Sequence, residues 1–199
     1  GYGVDPGAYS LYASGSYNND SRTPPCLMAF ERFQMGWIDT NTELTELKDP
    51  EDVELDNIST NKARYINAQL DRDVATGVEW FILENRQQTG WDRYIPAHGL
   101  LITHFDYTQE SYAEYWSVNG PNNNAKHRCM YIKAADGVDD ENSRAGDTYP
   151  GTSASTEFTD TSTPNSLNWN NEPVNVPITN ITEQDGIIRF QVSGGTSVW

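Results

Sequence analysis

The chain has little of the equipment most often recruited for metal or thiol chemistry: two cysteines and three histidines in 199 residues. Cys26 and Cys129 are too few for a disulfide framework, and neither sits in a C-x-x-C pair, which excludes thioredoxin-type and zinc-ribbon readings. Whether the two pair with each other stays open. His98, His104 and His127 do not form H-E-x-x-H, the spacing that sets two zinc ligands one helical turn apart. No self-contained zinc site is therefore expected. The "SGS" at Ser14 to Ser16 lacks the G-x-S-x-G elbow of a serine hydrolase. Positive charge is scarce too, 13 Lys and Arg against 29 Asp and Glu, for a net charge of −16. Such a surface repels a duplex or an anionic membrane, so no nucleic-acid partner is expected. No apolar run approaches the roughly 18 residues of a membrane span. The opening "GYGVDPGAYSLY" has neither the basic nor the apolar region of a signal peptide.

What is present is aromatic and β-prone: 6 Trp, 11 Tyr and 6 Phe. "SRTPPCLMAFERFQMGW" reads as one early helix, capped by Thr23, with Pro24 at its first position and Gly36 as its stop. Leu27, Phe30 and Phe33 give it an apolar stripe, widened by Met28 and Met35. Short strands are expected near Leu44 and Val53, then in "ARYINAQL". "VEWFILENRQ" and "HGLLITHFDY" are apolar on both parities, as in strands covered on both faces. "ESYAEYWSV" reads as a short helix and "HRCMYIKAA" as a strand. "VPITNITEQDGIIRFQVSG" reads as two strands around a D-G turn. The fold class expected is α+β and β-rich: one early helix, then a mostly antiparallel or mixed β body with long loops.

Two groups of residues carry candidate chemistry. Glu84 and Arg86 end one apolar strand; His104 and Asp106 end the next. They could line an active site, with Glu84 and Asp106 as a carboxylate pair. They could equally be a structural network that satisfies a partly buried core, which is the reading favoured here. The loop after "MYIKAA" offers Asp136, Asp139, Asp140 and Asp147, a candidate calcium loop without EF-hand spacing. A merely solvated acidic loop is the alternative.

Several blocks, in order, resemble the immune inhibitor A-type secreted metallopeptidases. "LYASGSYNNDSRTPPCLMAFERFQMGW" resembles the segment after that family's zinc helix. "FILENRQQTGWDRYIPAHGLLITHFDY", "YIKAADG…GDTYPG" and "TPNSLNW" resemble the blocks that follow it. The resemblance runs from about Tyr9 to Gly194. It departs at Tyr12, where the family has Met, and no H-E-x-x-H helix is present. It implies residues 1–38 as the turn and helix following the zinc helix, and 39–199 as a β-rich subdomain, together one compact unit. It implies the C-terminal part of a secreted or cell-surface zinc-dependent endopeptidase that acts on protein or peptide substrates, with no catalytic residue in this chain. Zinc would belong to the full-length parent, and calcium is the candidate ion for this chain. The third zinc ligand is left open, with Glu31 as a guess. The rival expectation is a noncatalytic, calcium-stabilised β module that binds peptides or glycans through Trp91, Trp116 and Trp169.

Overall fold

The computed structural model describes residues 6–69 and 77–193. Residues 1–5 and the expected strand ends at Leu70 and Gly194 lie outside them. Two sheets carry the chain. The larger runs β1 (Leu44–Glu46), β3 (Ala63–Asn67), β4 (Gly77–Arg86), β5 (Gly99–Thr108) and β6 (Met130–Ile132) in that order. Only the β1–β3 pair is parallel. The smaller runs β2 (Glu51–Leu55), β8 (Ile187–Val192) and β7 (Ile178–Gln184), all antiparallel. The class is α+β and β-rich, as expected, with a second short helix at Gln109–Glu114 beside the early one.

β4 and β5 are central because both their faces are covered. On one face Phe81, Leu83, Leu100 and Ile102 pack against Val53, Leu55, Ile188 and Phe190 of the smaller sheet. On the other, Trp80, Ile82, Leu101 and Phe105 pack under Tyr9, Met28, Phe30 and Ile38 of the N-terminal segment. Each such side chain, fully buried, contributes about 1.5–3 kcal/mol, so neither cover is dispensable.

The register decides which polar residues can meet. Phe81 opposes His104 and Glu79 opposes Asp106, whereas Glu84 opposes Leu101 and Arg86 opposes Gly99. Directly opposed residues of an antiparallel pair share a face. Glu84 and Arg86 therefore face the N-terminal segment, while His104 and Asp106 lie on the other side of the sheet. The expectation of one network or one carboxylate pair across the two strand ends is corrected: a sheet lies between them.

The early helix is shorter than its pattern suggests. It spans Ala29–Gln34, with Met28 rather than Thr23 at its start. Pro25 disfavours helical backbone at Pro24, and the amides of Cys26, Met28 and Ala29 are taken by the side chains of Asp92, Glu31 and Glu84. It ends as expected: Gly36 adopts φ +67°, and the amides of Gly36 and Trp37 close a Schellman motif on Phe33 and Arg32. The D-G turn between β7 and β8 also forms, with positive φ at both Asp185 and Gly186, which suits a type I′ hairpin.

Candidate functional site

On the N-terminal face, Arg86 is wholly buried. Its Nε and Nη2 donate to the two oxygens of Asp92, each at 2.9 Å, and its Nη1 donates to Glu84 at 2.8 Å. Its remaining reach goes to the carbonyls of Tyr9 and Cys26, both at 3.3 Å. The carboxylates also hold the crossing chain: Glu84 accepts from the Ala29 amide at 2.6 Å and Asp92 from the Cys26 amide at 2.7 Å. Burial alone would lower the Arg86 pKa, but Glu84 and Asp92 more than reverse this and hold the guanidinium charged. The cluster is a clamp that fastens residues 9–29 to the sheet.

On the opposite face, His104 is fully buried. Its Nε2 lies 2.8 Å from Glu79, and its Nδ1 lies 3.1 Å from the Tyr131 hydroxyl. Burial pushes its pKa down, against the pull of Glu79. Trp169 stacks on it with centroids 5.2 Å apart, and the indole also stacks on His127 at 4.4 Å. Tyr115 stacks on His127 in turn, at 5.7 Å. The Trp169 amide donates to Glu79 at 2.9 Å, which fixes the indole in place.

Asp106 is a hub beside this stack. Its Oδ2 lies 2.7 Å from His127 Nε2 and accepts from Ser111 Oγ at 2.5 Å; its Oδ1 accepts from the Thr108 amide at 3.0 Å. Burial works to raise its pKa, but the bonds from His127 and Ser111 prevail and hold the carboxyl below its usual value. Cys129 is buried alongside, and burial pushes its thiol up to about 12. The ligand atoms of Asp106, His127 and Cys129 all lie within 4.8 Å of one another. Among the described residues this is the one such group of three His, Cys, Asp or Glu side chains.

The candidate calcium loop does not gather its four carboxylates in that way. Asp139 pairs with Arg128. Asp140 is exposed and caps the turn at Glu141–Gly146 by accepting from the Asn142 amide at 2.7 Å. Asp136 accepts from the Val138 amide at 2.9 Å. Asp147 is buried 3.4 Å from Arg144, and its Oδ1 has no hydrogen-bond partner. Burial pushes the Asp147 carboxyl up to about 7, with Asp136 and Asp139 adding to the rise.

Beside the early helix lies an open cavity of about 600 Å³, lined in part by Ser10, Tyr12, Glu31, Met35, Trp116 and Asn119. Tyr12 stands exposed at it. Glu31 is buried, and burial raises its carboxyl. Both of its oxygens are already engaged, one by the Ser10 hydroxyl and the other by the Met28 amide at 2.6 Å. That arrangement serves the helix start. Of the three tryptophans expected to be exposed, only Trp91 is; Trp116 and Trp169 are half-buried in ring stacks. The two cysteines are unpaired.

No family model matches the chain, and neither the curated proteins nor the solved structures give a match. Among the described residues no helix is long and apolar enough to cross a membrane. Sequence reasoning missed Asp92, Glu79 and Cys129 as partners. Asp92 sits in a connector whose path cannot be read from local pattern. Cys129 carried a usable signal, since His127 and Cys129 are two apart, a spacing that projects side chains to one side of an extended chain.

Proposed function

We propose that this chain is the C-terminal part of a secreted, zinc-dependent endopeptidase domain of immune inhibitor A type, acting on protein or peptide substrates only together with a zinc-binding helix that its own sequence does not contain. The observation that supports this reading most directly is the clamp of Arg86, Glu84 and Asp92. Three buried charges are committed to holding residues 9–29 in one path across the sheet. That path forms one side of the cavity at Ser10, Tyr12 and Glu31, which leaves aromatic and amide groups facing solvent. A concave site with apolar walls and a few amides suits an extended peptide or a packed helix. On this reading Glu84 and Arg86 hold the scaffold, and His104 and Asp106 do the same from the other face. No step of peptide hydrolysis is assigned to residues of this chain.

The test is the coding sequence upstream of Gly1, followed by expression of the longer product. An H-E-x-x-H helix directly upstream, with chelator-sensitive cleavage of a protein substrate that is lost when the motif glutamate becomes Gln, is the expected result. An unrelated upstream segment would overturn the reading.

A second reading has its own observation. Asp147 Oδ1 is buried without a hydrogen-bond partner, and Asp136 and Asp139 are close enough to raise the Asp147 pKa. That is the environment a bound cation would relieve. With exposed Tyr12, Tyr17, Trp37 and Trp91, it favours a calcium-stabilised module that binds peptides or glycans. Calcium that raises the melting temperature of the wild-type chain but not of Asp147→Asn would support it. No shift in either would sink it.

A further inference from the structure

We infer that Asp106, His127 and Cys129 form a binding site for a transition-metal ion of the zinc type. Three different donors, a carboxylate oxygen, an imidazole nitrogen and a thiol sulfur, lie within 4.8 Å of one another. With about 2.0–2.3 Å from metal to ligand and tetrahedral angles, ligand atoms sit about 3.3–3.6 Å apart. The group is thus near the required spacing. The Asp106–His127 contact at 2.7 Å has to open by roughly 0.6 Å to reach the tetrahedral spacing. The mixed S, N and O donors select zinc-like ions over calcium or magnesium, which take oxygen alone.

Charge points the same way. A divalent ion with one carboxylate, one thiolate and one neutral imidazole sums to zero, the state that costs least to bury. Loading releases the thiol proton of Cys129 to solvent and moves the His127 proton to Nδ1. The ligands are also held by their surroundings. The Ser111 hydroxyl and Thr108 amide fix the carboxylate of Asp106. Trp169 and Tyr115 both stack on the His127 ring. Such supporting contacts pre-orient a ligand set. Asp106 and Cys129 are buried, while the His127 side chain is 34% exposed. Asp106 ends a central strand, whereas His127 and Cys129 come from the segment leading into β6. The ion would therefore staple the intervening helix and loop to the sheet.

The metal-free 199-residue chain is titrated with zinc by calorimetry and with cobalt by absorbance. The expected result is about one equivalent of either ion. Cobalt should give a thiolate-to-metal charge-transfer band, and zinc should raise the melting temperature. Cys129→Ser should abolish the band, and His127→Ala should weaken binding by at least about tenfold. Cys26→Ser should change nothing. No cobalt band in the wild-type chain, or a band that survives Cys129→Ser or disappears in Cys26→Ser, overturns the site. Should Cys129→Ser fail to fold, the partly exposed His127→Ala decides alone: unchanged affinity refutes the proposal. None of these readouts involves peptide cleavage or upstream sequence, so this site and the peptidase reading can fail independently.

Discussion

Arg86→Met is the most informative perturbation of the fold. The side chain is wholly buried and makes two bonds to Asp92, one to Glu84 and two to main-chain carbonyls. Methionine fills much of the volume but leaves two carboxylates buried without their cation. Breaking a buried pair in this way costs about 3–5 kcal/mol, most of it from the uncompensated charge. Against a typical domain stability of about 5–15 kcal/mol, this removes at least about a fifth. Urea unfolding with a constant slope reads the loss as a shift in midpoint. The origin is separable: adding Glu84→Gln and Asp92→Asn to Arg86→Met should recover about 2 kcal/mol or more, since no orphan charge remains. Arg86→Lys should not rescue, because an ammonium cannot span both oxygens of Asp92 while also reaching Glu84. A loss below about 1 kcal/mol, or a triple variant no better than the single one, would refute the clamp.

His104→Ala should cost about 2–4 kcal/mol through a lost stack and the lost hydrogen bond to Glu79, yet leave cobalt binding at Asp106, His127 and Cys129 in place. Loss of the metal with unchanged melting would contradict this. Because burial lowers the His104 pKa, its neutral form stabilises the fold above the unfolded value of 6.5 and that contribution fades as pH falls below it. The acid limb of a melting-temperature profile should therefore be shallower in His104→Gln. Asp147 acts with the opposite sign. Its carboxyl rises from 3.8 to about 7, so its stabilising protonated form is present at low pH and lost as pH rises through 7. In calcium-free buffer Asp147→Asn should be about 1–3 kcal/mol more stable than wild type at pH 8 and close to it at pH 5; a pH-independent loss would refute this.

Much of the β body was legible because its signals are local. Runs apolar on both parities marked β4 and β5, and the D-G pair marked the β7–β8 hairpin. Which residues meet across strands was not legible, since register is set by distant packing. Glu84 and Asp106 each end an apolar run and look equivalent in sequence, yet the pairing of Glu84 with Leu101 and Glu79 with Asp106 sends them to opposite faces. The helix start failed for a related reason. Thr23-Pro24 is a sound local cap, but Asp92 and Glu84, far along the chain, claim the amides of Cys26 and Ala29. The Asp106, His127 and Cys129 group was half visible: His127 and Cys129 share a side, but only the fold brings Asp106 to them. The expected glycan-binding aromatics failed in part because exposure of a tryptophan is a tertiary property: Trp169 stacks on both His104 and His127.

The clamp also sets an order of events during synthesis. Ala29 bonds to a side chain 55 residues later, and Tyr9 to one 77 residues later. Ribosomes extend chains at about 5–20 residues per second, so the stretch carrying Met28, Phe30 and Phe33 waits roughly 3–11 s for Glu84 to be made. During that interval its apolar side chains have no sheet to cover. A nascent chain of this kind is exposed along residues 9–33 before its sheet exists, and that stretch is where a holding chaperone would be needed.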